Sequence, residues 1–258
     1  MFSLKNVTVT LGGAVVLKDL TLEINEGERV VVLGINGCGK TTLLKLLDGL
    51  ILPTMGELGY QDRPLTRGRL DDPAFKRIFR KEIGLLFQHV DAMLFNPTVR
   101  DEIAFGLRQL MATDVDANVA RWTAAFDLTD LLDRAPFELS GGEKKRVALA
   151  AVMAVEPRVL LLDEPTAHLD PAGAGQLVDF LAGLEGRTII TATHNLSIVE
   201  ELGDRVLVLS KDHTLAYDGP AHDLFHNDEL LVSSGLSHKH RHRHAGTEHA
   251  HYHLHDME

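Results

Sequence analysis

Residues 34–42, GINGCGKTT, hold the densest set of chemistry-bearing groups in the chain. Their spacing, G-x-x-x-x-G-K-[ST], is that of a loop that cradles a polyphosphate. Gly34, Gly37 and Gly39 let the backbone curl so that successive N–H groups, those of Asn36 and Cys38 among them, point at phosphate oxygens. Lys40 carries a charge toward the terminal phosphates. The hydroxyls of Thr41 and Thr42 follow, the first suited to a hard divalent cation. Such a loop needs a strand behind it and a helix in front. Residues 30–33 (VVVL) form the β-branched apolar run of a buried parallel strand, and Leu43, Leu44, Leu46 and Leu47 recur at helical spacing. A helix beginning near Lys40 adds the positive end of its dipole to the anion site.

Further patterns supply what hydrolysis of a phosphoanhydride needs. An apolar run, residues 159–162 (VLLL), ends in Asp163 and Glu164. Asp163 is a hard oxygen ligand for Mg²⁺, and Glu164 can polarise an attacking water as general base. Residues 139–143 read LSGGE. There Ser140 offers a hydroxyl, Gly141 and Gly142 offer backbone N–H groups, and the Ala/Val-rich helix that follows points its N-terminus at an anion. Gln88 and His194 each follow an apolar strand-like run, residues 83–87 and 188–193.

The elements around these groups alternate between strand and helix. Residues 4–24 alternate apolar and polar around Gly12-Gly13, which predicts two or three antiparallel strands at the edge of the core. Residues 57–82, with Pro64, Gly68 and Pro73, read as polar and irregular strands and connector. Thr98 is a candidate N-cap for a helix over VRDEIAFGLRQL, and residues 122–132 predict a second amphipathic helix. Later strands over 159–162, 188–193 and 206–209 alternate with helices over 172–185 and 196–202. The fold class expected is α/β, a phosphate-loop core with a mostly parallel sheet, an antiparallel β edge and an inserted α-helical subdomain. The expected boundaries are 1–218 for this domain (core 1–90 and 138–218, helical subdomain 91–137), 219–237 for an extension without core pattern, and 238–258 for a His-rich tail.

Composition bounds the role. The chain has 258 residues, with 37 acidic against 26 basic and a formal charge of −11, which disfavours nonspecific nucleic-acid binding. The single Cys38 cannot form an internal disulfide, so a reducing cytosol is expected. The first residues lack the basic and apolar regions of a leader, and no apolar stretch is long enough to span a bilayer. Any membrane role therefore goes through partners.

Taken together, the residue 34–42 loop, Asp163-Glu164, LSGGE, Gln88 and His194 resemble the ATP-binding cassette (ABC) ATPases over about residues 2–218. The resemblance implies ATP with Mg²⁺ as cofactors and a head-to-tail dimer, either of this chain or with a paralogue. One subunit then supplies Lys40, Thr41, Gln88, Asp163, Glu164 and His194, and the other caps the γ-phosphate with Ser140, Gly141 and Gly142. By the same resemblance Gln88 senses Mg²⁺ and water, His194 contacts the γ-phosphate, and Asp170 in THLD-like residues 166–170 (TAHLD) lies at the dimer interface. Family members usually stack an aromatic residue on adenine. Here Leu11 stands at that position, and Leu11 or Val16 offers apolar packing in place of part of the stacking. Cys38 is open to two readings, a reactive thiol of lowered pKa at a helix N-terminus or a small filler kept reduced. On the reactive reading, alkylation blocks ATP hydrolysis and bound nucleotide protects.

Residues 94–106, LFNPTVRDEIAFG, are similar to the same stretch in the ATPases of energy-coupling-factor (ECF) importers, which take up vitamins or transition-metal ions. The resemblance implies membrane-subunit partners that dock on this helical region from the cytoplasmic side. The tail bears on cargo. His238, His240, His242 and His244 alternate, as do His249, His251, His253 and His255, so in an extended chain each quartet lies on one side. Neutral imidazole suits Ni²⁺, Co²⁺, Cu²⁺ or Zn²⁺, and protonation below about pH 6.5 should release the metal. The reading is an ATPase subunit for nickel or cobalt import. A vitamin or zinc importer, a soluble ABC ATPase outside transport and a metal-handling protein are its rivals.

Overall fold

In the computed structural model, residues 1–236 are described with their side chains, and 237–244 and 247–254 as backbone strands. The first strands are β1 (Phe2–Leu11), β2 (Ala14–Ile24), β3 (Arg29–Leu33), β4 (Met55–Tyr60), β5 (Arg63–Pro64) and β6 (Ile83–Leu86). The later ones are β7 (Val159–Asp163), β8 (Thr188–Ala192), β9 (Arg205–Leu209), β10 (Leu215–Pro220), β11 (Ser237–His244) and β12 (Thr247–Leu254). Helices α1 (Lys40–Leu47), α2 (Arg67–Asp71), α3 (Pro73–Glu82), α4 (Val99–Gln109) and α5 (Val115–Ala125) precede α6 (Gly141–Ala154) and α7 (Pro171–Ala182). Three short helices follow, α8 (Val199–Leu202), α9 (Ala221–Phe225) and α10 (Asp228–Ser233).

Two compact units share these elements. The first joins Met1–Thr66 to Ile190–Glu258. It contains an antiparallel sheet in the order β2-β1-β4-β5, built on the hairpin that turns at Gly12-Gly13. Its second layer sets β3 parallel to β9, Val30 facing Arg205 through Leu33 facing Val208, with β10 antiparallel on β9. Residues 30–33 are fully buried, as their unbroken apolar run requires of a strand covered on both faces. Arg205 ties this layer at its edge. Its guanidinium holds Asp218 through two bonds (2.7 and 2.8 Å) and donates to Glu28 Oε2 (2.9 Å) and Glu23 O (2.8 Å).

The second unit, Arg67–Ile189, pairs β6 parallel with β7 from Ile83–Val159 to Leu86–Leu162. Helices α3 to α7 belong to it. Inside this unit Thr188 N–H donates to Arg158 O (3.0 Å), and the chain passes to the first unit within β8.

Several expectations need correction. Within the irregular-looking 57–82 stretch lies α3, started by Asp72, whose carboxylate accepts from the N–H groups of Ala74 and Phe75, and by Pro73 at the first helical position. The second helix of the 91–137 stretch is α5, Val115–Ala125, not 122–132. It ends at Phe126, and Asp127 turns left-handed (φ 53°) before a short 3-10 turn at Thr129–Leu131. Only residues 199–202 of the expected 196–202 helix are α-helical. The stretch after Gly219 keeps a core pattern after all, because Leu224, Leu231 and Leu236 are buried. A methyl group added at Gly235 would stand 3.0 Å from Cγ2 of Ile35 in the phosphate loop. The extension thus packs on that loop just before the tail begins.

The tail backbone is an antiparallel hairpin of two extended strands, the first carrying His238 to His244 and the second His249 to His253. His238 faces His253, His240 faces His251 and His242 faces His249, while His244 faces Thr247. His255 lies outside the described residues. Among the described residues no helix is long and apolar enough to cross a membrane.

Candidate nucleotide site

In the first unit the loop leaves β3 at Gly34 and enters α1 at Lys40. Gly39 takes the cap position with φ 115° and ψ 7°. A methyl group there would lie 2.5 Å from Val16 O and 2.7 Å from Leu17 Cδ2, so only glycine fits. Lys40 is buried, and its ammonium donates to the carbonyls of Gly34 (2.6 Å) and Ile35 (3.3 Å). The lysine therefore curls over its own loop. Thr41 and Thr42 follow on the first turn of α1. His194 comes directly after the β8 end at which Thr193 N–H donates to Val32 O (3.1 Å), so it leaves the sheet beside β3 and the loop.

Cys38 is 2% exposed, and burial pushes its thiol up, the Lys40 charge offsetting only part of that. That burial favours the second reading, a small filler kept reduced. Leu11 sits 44% exposed at the hairpin tip, whereas Val16 backs onto Gly39. That contact is made by the Val16 carbonyl, so Leu11 and Val16 both remain candidates for apolar packing. His213, not among the residues selected from the sequence, braces the same loop through Nδ1 and the Cys38 carbonyl (3.2 Å). It turns left-handed (φ 65°) between β9 and β10, a position without any sequence signal.

In the second unit β6 and β7 end at one edge. Gln88 follows the Leu86–Leu162 pair by two residues and Asp163 by one. Asp163 is 2% exposed. Glu164 is buried with a left-handed backbone (φ 47°), and its carbonyl accepts from Ala167 N–H (3.2 Å) and Lys145 Nζ (3.0 Å). The donors that the sequence offers to a cation are the Thr41 hydroxyl, the Gln88 amide oxygen and the Asp163 carboxylate. All are hard oxygens, with no sulfur or imidazole, and a set of that kind fits Mg²⁺.

Ser140 begins α6 with a reciprocal cap. Its N–H and hydroxyl donate to Glu143 Oε2 (2.7 and 2.6 Å), and Glu143 N–H donates to Ser140 Oγ (3.4 Å). These bonds from Ser140 hold the Glu143 carboxyl below its ordinary range. Ser140 and Gly141 remain exposed, with Gly142 half-buried behind them. Asp170 caps α7, accepting from Gly173 N–H (2.6 Å), with Pro171 next to it. In the 94–106 segment Thr98 caps α4 as expected, accepting from Asp101 N–H (3.1 Å). Buried Glu102 holds the preceding turn through the N–H groups of Phe95 (3.0 Å) and Asn96 (2.7 Å). That leaves Phe95 65% exposed, edge-on to Phe105 at 5.0 Å.

A strand–loop–helix that curls backbone N–H groups and a lysine around an anion, in an α/β chain with a strand-end Asp-Glu pair, defines a phosphate-loop nucleoside triphosphatase. The model of the family described as ABC transporter matches residues 17–167. The nickel import ATP-binding protein LarO of Lactiplantibacillus plantarum is 42% identical over 87% of this chain and 95% of its own length. The nickel import ATP-binding protein NikO of Rhodobacter capsulatus is 43% identical over 89% and 93%. Among solved structures, cbiO1 of Clostridium perfringens, part of the ABC transporter complex cbiONQ, superposes with a TM-score of 0.76 at 31% identity, covering 90% of this chain and 92% of that one. The chain belongs to the ABC transporter family and is one of its ATP-binding, ATP-hydrolysing subunits.

Proposed function

We propose that this chain powers an ECF-type importer of nickel or cobalt ions. It works as a dimer of cassettes bound to membrane subunits at the cytoplasmic face of the membrane. The observation that carries the reading is the identity of 42–43%, over about nine-tenths of the chain, to two nickel import ATP-binding proteins. The likeness to cbiO1 and the 94–106 segment support the ECF type. The exposed Phe95–Phe105 pair, held out by Glu102, supports docking of an apolar membrane-subunit element on α4.

In each ATP site Lys40 turns from its loop carbonyls to the β- and γ-phosphates, and the N–H groups of residues 34–42 wrap the polyphosphate. Thr41, Gln88 and Asp163 would hold Mg²⁺, which would supply charge neutralisation when bound with the nucleotide. Glu164 takes a proton from the attacking water and His194 donates to the γ-phosphate. Ser140, Gly141 and Gly142 of the partner cassette close the site, and Asp170 lies at that interface. Leu11 or Val16 provides apolar packing for the base. The tail binds nickel or cobalt near the transporter, a reading supported by the three facing His pairs of the β11–β12 ladder.

The test is nickel and cobalt accumulation in cells that lack this chain. They are complemented with the whole chain, with Lys40→Ala, or with a chain ending at Ser237. Uptake restored by the whole chain and not by Lys40→Ala supports the reading, and the truncated chain measures what the tail adds. Uptake indifferent to the chain overturns the cargo.

A further inference from the structure

Lys145 is a buried cation with no task in the reading above. It is 4% exposed on α6, five residues past the Ser140 cap, beside the fully buried Val147 and Ala148. Lysine is rarely buried unless paired. Burial pushes its pKa down, and the Glu164 and Asp163 carboxylates push it back up. The ammonium donates to the Glu164 carbonyl at 3.0 Å.

That carbonyl belongs to an unusual residue. Glu164 holds φ at 47°, a left-handed conformation that non-glycine residues rarely adopt. Such a conformation persists only where its surroundings fix it. Two donors do so here. Ala167 N–H closes the local turn, and Lys145 reaches in from a different element, 19 residues away in sequence.

We propose that Lys145 is a positioning residue for hydrolysis, fixing the Glu164 peptide so that its carboxylate is aimed at the attacking water. This rests on Glu164 being the general base. The helix that carries Lys145 is also the one whose first turn, Ser140 to Gly142, is offered to the partner's ATP. One rigid element therefore bears both the cap for one ATP and the brace for the base that serves the other. A shift of α6 when its own turn engages nucleotide moves the brace with it, which couples the two sites.

The test uses the full chain with Lys145→Met and Lys145→Arg, and reads kcat, KM for ATP, thermal stability and ATP-dependent dimerisation. A cavity of about 180 Å³, lined by Lys145, Leu149, Gln176 and Leu177 among others, leaves room for a guanidinium. The arginine variant therefore keeps the donor. Lys145→Met should lower kcat roughly tenfold or more with KM within about twofold, because a misaimed group costs rate and not ground-state binding. It should also accumulate the ATP-bound dimer, as Glu164→Gln does, and Lys145→Arg should restore most of kcat. If the methionine variant does not fold, Lys145→Gln, whose amide is too short to reach, should show the same loss. Wild-type kcat in either variant overturns the proposal, as does an arginine variant as slow as methionine. If Glu164→Gln itself turns over normally, the base assignment has failed; if it stops turnover while Lys145→Met does not, Lys145 alone has failed.

Discussion

The phosphate loop and the Asp163-Glu164 corner reach their geometries in opposite ways. The loop is local: nine consecutive residues, a strand before and a helix after, with Lys40 bonded to carbonyls five and six residues back. The corner is assembled from a distance. Glu164 is held by Lys145 on another helix, and Gln88 comes alongside Asp163 only through the parallel register of β6 on β7. A site part built mainly from near neighbours is damaged mostly at its own residues, even where a distant group such as His213 braces it. One built from distant elements can be tuned, or broken, through residues that never touch nucleotide.

The sharpest way to break the local half is Gly39→Val. The branched side chain meets the Val16 carbonyl and must adopt φ 115°, so ATP affinity should fall roughly a hundredfold or more. Nucleotide titration by fluorescence reads this directly, and near-normal binding would mean that the loop does not need its observed curl. A smaller effect should follow from loosening the edge behind the loop. Arg205→Ala leaves Asp218 and Glu28 without their shared cation, and should cost about 1–3 kcal/mol in denaturant unfolding with little change in ATP affinity. If affinity fell as much as stability, the loop would depend on that edge as well, and the contrast between local and assembled would weaken.

The smallest effect belongs to the Ser140–Glu143 cap. Because the folded carboxyl lies below its ordinary range, its contribution is present above the ordinary glutamate pKa and is lost as pH falls through the folded value. The difference in melting temperature between the wild-type chain and Glu143→Gln should therefore be largest near neutral pH, equivalent to about 1 kcal/mol or less, and should close in the acid range. A difference independent of pH would mean that the carboxylate charge plays no part.

The same contrast explains what could be read from the sequence. The loop, the strand-end acidic pair, the LSGGE turn and the Thr98 cap are contiguous patterns, and each is visible in a string of letters. Lys145, His213 and Glu102 work through bonds to residues 6 to 175 positions away, which no spacing rule encodes. Lys145 is further masked by its place in the charged run 143–146 (EKKR) that opens α6, which reads as a solvated turn. The α3 start was masked by Pro64 and Gly68, whose turn signals outweighed the Asp72-Pro73 opening. Cys38 stayed open to two readings because helix position is local and burial is not: the dipole is visible in the sequence and the desolvation that raises the thiol pKa is not. The tail hairpin could not be foreseen either, since alternation alone fits a lone extended strand as well as a paired one.

The most direct test of the account is Glu164→Gln in the purified chain, followed by ATP turnover and by sedimentation with ATP. The account predicts turnover lowered at least about a hundredfold and a nucleotide-bound dimer that persists, because the base is lost while both ATP-binding surfaces remain. Unaltered turnover with no ATP-dependent dimer would contradict both the assignment of the base and the shared site.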